Sequence, residues 1–150
     1  MAVSSPLKLR AEDAEDLKVV AAFLQDALVR LSEMTYQRRR KRFVAALNRF
    51  VWEDEAGAGG APRRVRCGLH FDGVLETKVQ GLTLGGRDPL LELLTLTCDE
   101  GEDGAATVTL VFAGGPRLRL EVECVDCHLA DLGPPWQARS RPAHGLKSVD

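Results

Sequence analysis

Along this chain, hydrophobic and polar positions alternate with a period of two far more often than they recur at helical spacing. The fullest case is Arg38–Glu53, RRRKRFVAALNRFVWE, where five consecutive cations lead into an apolar run. Within the run Val44, Ala46, Phe50 and Trp52 fall on one face and Phe43, Ala45, Leu47 and Val51 on the other. Asn48 and Arg49 are the polar interruptions. Apolar residues on both faces predict a central, buried strand over 43–53, around which the remainder folds.

In chain order, Leu7, Leu9 and Ala11 predict a short first strand. Helical spacing appears next: Leu17, Val20, Ala21 and Leu24 recur on one face, with Val19 and Phe23 widening the stripe. Asp13 can cap the free amides, and Glu15 and Asp16 suit the positive end of a helix dipole, which places a helix at about 13–26. Leu28–Met34 returns to alternation and, across a polar connection at Tyr36–Arg40, forms an antiparallel hairpin with 43–53. The segment 54–62, DEAGAGGAP, is a flexible loop too short to separate two cored domains. Strands over 65–71 and 75–79 flank Asp72-Gly73, the strongest hairpin-turn signal present. Gly85-Gly86 and Pro89 make a break before 90–98, which Thr95 and Thr97 favour as strand over helical turn. An acidic turn at 99–105, a strand over 107–112, a turn at Gly114-Gly115 and a strand over 118–124 follow. Beyond Cys124 the apolar phase slips by one, which predicts a bulge or bend. The expected fold class is therefore α+β: six to eight mostly antiparallel strands in a curled sheet, roll or partial barrel, of pleckstrin-homology-like shape, with one helix near the N-terminus. Residues 1–132 make one domain, and 133–150 an extended C-terminal tail pinned by Trp136.

Composition narrows the function classes. With 45% hydrophobic and 28% charged residues in 150, the chain folds rather than remaining disordered. A net charge of −2 supplies no global basic field for nucleic acid or anionic membrane. No apolar run approaches the roughly 20 residues a membrane span needs, and the N-terminus lacks an apolar signal core, so a cytoplasmic location is expected. The four cysteines then read as reduced thiols.

Candidate chemistry is sparse. Cys124-Val-Asp-Cys127-His128 matches the C-x-x-C-H pattern of covalent haem attachment, but it continues a β pattern where such sites open on helices. Zinc held by Cys67, Cys98, Cys124 and Cys127 would need two close pairs, and only one is present. In a regular strand that pair also points to opposite faces. No metal or other cofactor is expected. His70, His128 and His144 are scattered, and no catalytic residue is assigned. Arg38, Arg39, Arg40, Lys41 and Arg42, flanked by Tyr36 and Phe43, form the candidate ligand-binding site for nucleic acid or a phosphorylated ligand. The competing reading is a solvated connection that keeps a sticky hairpin soluble. If buried, Asn48 and Arg49 need partners, and Asp26 or Glu53 can supply one. The group Asp26, Asn48, Arg49, Trp52 and Glu53 is accordingly either a structural latch or the rim of a ligand groove, with the latch favoured because buried charges pair for structural reasons.

Several strings taken together carry a resemblance: Asp13-Ala-Glu-Asp-Leu17, Leu24-Gln-Asp-Ala27, Arg42-Phe43, Asn48-Arg-Phe-Val-Trp-Glu53, and Trp136 with Pro142 and His144. The chain resembles an uncharacterised alphaproteobacterial family of about this length, catalogued as a domain of unknown function. The resemblance implies a bacterial cytoplasmic protein and a single domain, and it brings no activity or site residue. The expected function is a non-enzymatic binding or adaptor domain for an unidentified protein partner. Its alternatives are a nucleic-acid or phosphorylated-ligand binder through Arg38–Arg42, and a small enzyme or ligand-binding protein with a pocket near Arg49 and Trp52.

Overall fold

Period-two alternation turns into strand almost wherever it occurs, because most of these segments bury one row of side chains and leave the other at least partly wet, although the row of Leu75 and Val79 is exposed. A computed structural model of the chain describes residues 6–54, 60–82 and 87–142. The expected break at Gly85-Gly86, most of the glycine-rich loop and the end of the tail with His144 lie outside the described residues. The elements are β1 (Lys8–Ala11), α1 (Ala14–Leu24), β2 (Ala27–Arg30), β3 (Met34–Gln37), β4 (Arg42–Phe50), β5 (Arg63–Asp72), β6 (Val74–Gln80), β7 (Leu90–Glu100), β8 (Ala106–Phe112), β9 (Arg117–Val122), β10 (Cys127–Asp131) and β11 (Trp136–Gln137). The strands form one antiparallel, unclosed sheet in the order β1-β10-β5-β4-β2-β7-β8-β9-β6, with β3 also on β4 and β11 also on β5. The fold is α+β, and its eleven described strands exceed the six to eight expected.

Helix α1 begins where expected, with the Asp13 carboxylate accepting from the Asp16 amide at 2.8 Å. It stops at Leu24 rather than 26, because Asp26 turns the chain through φ +65°. The Asp26 amide then donates to the Leu93 carbonyl at 2.7 Å. Leu17, Val20 and Leu24 are buried against the sheet, whereas Val19 is 50% exposed and lies outside the apolar stripe.

Three expectations about strands are corrected. Leu28–Met34 is not one strand: β2 runs along β7, a 3-10 turn spans Leu31–Glu33, and β3 pairs with β4. The Asp88 carboxylate fixes that turn by accepting from the Ser32 amide and hydroxyl. Second, β4 is central but buried on one face only: Phe43, Ala45, Leu47 and Arg49 are buried, while Val44, Ala46 and Asn48 are half-buried. It ends at Phe50, and Trp52–Asp54 forms a 3-10 turn. Third, Asp72-Gly73 closes no hairpin. β5 passes directly into β6, which pairs with β9 at the far edge of the sheet. Gly73, at φ +73°, makes that corner, with its carbonyl accepting from Glu123 at 2.9 Å. The phase slip at Cys124 is a bend, one of the two forms expected there, and it separates two strands: β9 pairs with β8 and β6, and β10 with β5 and β1.

The segment after Leu132 is held by backbone rather than by its tryptophan. β11 pairs with the start of β5, Ala138 is buried and donates to the Pro62 carbonyl, and Trp136 stays 42% exposed. The core lies between α1 and the inner face of the sheet, around Phe43, Leu47, Leu69, Phe71, Leu93 and Leu129. Full burial of such side chains is worth about 1.5–3 kcal/mol each.

Candidate functional site

Arg49 occupies the inner face of β4 in register with Phe43, Ala45 and Leu47, and only 1% of it is exposed. A guanidinium carries five N–H donors, and all are used. Nε donates to Asp131 Oδ1 at 2.9 Å and Nη2 to Asp131 Oδ2 at 3.0 Å. Nη1 reaches Glu53 Oε1 at 3.0 Å and the Phe50 carbonyl at 3.3 Å, and Nη2 reaches Glu53 Oε2 at 2.8 Å. The Phe23 ring of α1 lies 5.7 Å from the guanidinium carbon. Burial by itself pushes this group's pKa down, and the hydrogen bonds to Glu53 and Asp131 outweigh it, holding the pKa above the usual arginine value. Asp131 also accepts from the Leu7 amide at 2.8 Å, so one carboxylate ties β10, β4 and the N-terminal segment together.

The five residues grouped from the sequence separate into three neighbouring arrangements. Arg49 and Glu53 meet directly. Asp26 is not an acceptor of Arg49: its carbonyl accepts from Arg64 at 3.1 Å, and the same Arg64 nitrogen donates to the Asn48 carbonyl at 3.0 Å. The Asn48 side chain faces outward and accepts from Arg66 at 3.2 Å, and Arg66 is also paired with Glu33. Trp52 donates its indole N–H to the Gln25 carbonyl at 2.9 Å and packs edge-on against Phe50. Trp52 and Arg64 thereby satisfy carbonyls just past the end of α1, where orphan acceptors collect.

Beside Arg49 lies a groove of about 390 Å³. Val51, Val65, Leu132, Pro134 and Pro135 give it apolar walls, and Arg49, Glu53 and Asp131 form its charged floor. The side chain of Asp131 is 6% exposed, that of Glu53 33%. Arg63 at the rim is clamped by both oxygens of Asp54, at 2.7 and 3.0 Å. Asp131 and the Pro134-Pro135 wall carried no sequence signal for this site, since nothing local links them to β4.

The cationic run sits at the tip of the β3–β4 hairpin. Arg38, Arg39 and Arg40 form an exposed 3-10 turn, Lys41 takes φ +53° with its ammonium 3.9 Å from Glu123, and Arg42 donates to Asp72 at 2.7 Å. The cysteines are dispersed: Cys67 and Cys127 are buried, Cys98 is half-buried and Cys124 is exposed. Burial pushes the Cys67 thiol up to about 12 and raises Cys98 and Cys127 as well, which makes them inert packing groups. Cys127 faces the core while its neighbour His128 faces outward, so the C-x-x-C-H string does not converge on one side.

On that outer face His128 stacks on His70, a pairing that sequence reading missed. Its signal was present as His70-Phe-Asp72 and Asp126-Cys-His128, two short patterns that become meaningful only when β5 and β10 pair. Burial and the adjacent His128 push the His70 pKa below its ordinary value.

Fold and site together define an α+β antiparallel-sheet protein with a buried, fully hydrogen-bonded arginine under a mostly apolar groove. The chain belongs to the DUF2948 family, described as a protein of unknown function, whose model matches residues 7–144. No curated protein and no solved structure matches it. Among the described residues no helix is long and apolar enough to cross a membrane.

Proposed function

We propose that this protein is a non-catalytic binding module whose groove beside Arg49 takes an apolar segment of a partner protein bearing one cationic side chain. The observation that carries this reading is the pre-formed groove of about 390 Å³ on a floor whose guanidinium has no spare donor. That volume falls in the roughly 300–1,000 Å³ range of ligand sites. A guanidinium with five donors engaged has none to offer a developing negative charge, which favours binding over catalysis. The floor sets one guanidinium against two carboxylates, and Arg63 is matched by Asp54, so the groove favours a cation. Each oxygen of Glu53 accepts once from Arg49 and has capacity for a further hydrogen bond, and this one-third-exposed side chain lines the groove.

A phosphate-binding role for Arg38–Arg42 has less support. Arg42 is spent on Asp72 and Lys41 lies near Glu123, leaving a three-residue tip on a chain of net charge −2. The setting we infer is a bacterial cytoplasm, on the family resemblance and four free thiols. We also read the chain as one domain, with 133–142 contributing a groove wall rather than hanging free.

The test is amide chemical-shift mapping with short peptides of leucine and proline, with and without a single lysine. Shifts should concentrate at Val51, Val65 and Leu132, strengthen with the lysine, and vanish in Leu132→Arg, a change at an exposed rim position. Shifts that avoid these amides, or that persist in Leu132→Arg, would overturn the reading.

A further inference from the structure

Strand β5 carries His70 and Asp72 two residues apart, so both side chains stand on the outer face. Strand β10 runs antiparallel beside it with His128 directly opposite His70. Asp126 stands two residues before His128, and its carbonyl accepts from the Asp72 amide at 3.0 Å. An H-x-D pattern thus runs against a D-x-H pattern, and two imidazoles and two carboxylates gather on one patch. The imidazoles stack with centroids 4.5 Å apart and planes 17° from parallel. His70 Nε2 lies 3.5 Å from Asp72 Oδ2, and His128 Nε2 lies 2.9 Å from Asp126 Oδ1.

We propose that His70, His128 and Asp72 are the ligands of a divalent first-row transition-metal ion of the zinc type, with Asp126 and Arg42 as positioning residues. One ligand atom from each of the three lies within 4.8 Å of the others. Ligands at zinc bond lengths of 2.0–2.2 Å sit about 3.3 Å apart in a tetrahedron. Small rotations of these half-buried side chains close the difference. Two imidazoles and a carboxylate suit zinc, cobalt, nickel or ferrous iron, whereas magnesium and calcium prefer oxygen alone. Three protein ligands leave a coordination position open. His70 also lines a shallow trough of about 320 Å³ floored by Ala46, Gly68 and Ala130, which gives that position access to solvent and solutes.

The carboxylates are already oriented for this division of labour. Arg42 holds Asp72 through Oδ1 at 2.7 Å, turning Oδ2 toward His70 for single-oxygen ligation. Asp126 Oδ1 is shared between His128 and Arg10, the latter at 3.5 Å, and a carboxylate on the second ring nitrogen is what fixes a ligating histidine. The surrounding charges are Arg10 from β1, which also pairs with Glu12 at 3.2 Å, Arg42 from β4, and Asp72 and Asp126, so two cations face three carboxylates before any ion arrives.

Calorimetric titration of the untagged full chain with zinc chloride, and cobalt(II) visible absorption on the same protein, test the site. One ion per chain should bind, with cobalt giving the d–d bands of a low-coordinate nitrogen–oxygen site. His70→Gln and His128→Gln should each weaken zinc by at least about 100-fold, and Asp126→Asn by roughly 10-fold, in keeping with an orienting group. Cys124→Ser should leave binding unchanged. Far-ultraviolet circular dichroism of the metal-free variants confirms that each is folded, and His70→Ala serves if the glutamine supplies a ligand of its own. No binding at millimolar zinc, or binding that survives both histidine substitutions, would overturn the site.

Discussion

At the scale of the residue, Arg49 shows why a buried ion pair is poor evidence of stability yet strong evidence of dependence. Taking a guanidinium and two carboxylates out of water costs several kcal/mol per ion, and good geometry does little more than recover it. Removing the cation alone leaves Asp131 and Glu53 facing each other without compensation. Arg49→Met is therefore expected to lower the free energy of unfolding by about 3–5 kcal/mol, measured by urea denaturation. Arg49→Lys should also be costly, because an ammonium offers three donors in place of five. Adding Glu53→Gln and Asp131→Asn to Arg49→Met should restore part of the loss; a single Met variant within about 1 kcal/mol of the parent would show that the latch is not what holds this corner. The sequence disclosed half of this arrangement. An arginine inside an apolar strand must be partnered if buried, and Glu53 stands four residues away, but Asp131 is remote and reaches Arg49 only because β10 joins the sheet two places along.

At the scale of the element, local signals named conformations correctly and connections less well. Asp72-Gly73 reports that the chain passes through positive φ, and a hairpin turn and a sheet corner both need that. At Gly73 the corner won, because β6 finds its partner in β9. A Cβ placed on Gly73 would meet Glu123 Oε2 at 3.5 Å, an ordinary contact, so the cost of substitution is in the backbone at φ +73°. Gly73→Ala should destabilise by about 1–2 kcal/mol. Gly68→Ala is the control: it lies within β5, and its Cβ would touch the Leu132 side chain at 3.4 Å without any left-handed backbone. Thermal unfolding of the two variants should separate them clearly, and equal shifts would remove the argument. The same logic explains the divided second strand. Leu28–Met34 reads as one strand from Val29 and Leu31 against Arg30 and Ser32, yet its two halves serve different neighbours, and the turn at Leu31–Glu33 lets both pair.

At the scale of the whole molecule, the sheet takes its two edges from β1 near the N-terminus and β6 in mid-chain, and the segment after Leu132 returns to the middle of it at β5. That return closes one side of the groove. Ending the chain after Leu132 would remove β11 and the Pro134-Pro135 wall while leaving α1 and the core of β4, β5, β7 and β10 in place. The shortened protein is expected to fold with a melting temperature lower by roughly 2–8 °C, the shift that about 1–2 kcal/mol gives in a chain of this size. It should also lose at least about tenfold in affinity for the lysine-bearing peptide, since burying the peptide's apolar surface is the main source of its binding energy. Retained affinity would move the binding surface elsewhere.

By itself the sequence determined the α+β class, the helix and its Asp13 cap, the positions of most strands, and the fact that Asn48 and Arg49 break an apolar run. These are readable because burial of one row and capping of one helix act over a few neighbouring residues. Only the tertiary structure decided the strand order, the corner at Gly73, the partnership of Arg49 with Asp131, and the meeting of His70 with His128. Those depend on which strands lie side by side, and a strand's own alternation says which face is buried but not whose edge it joins. Two histidines that look scattered along the chain share one patch of surface because β5 and β10 pair in that register.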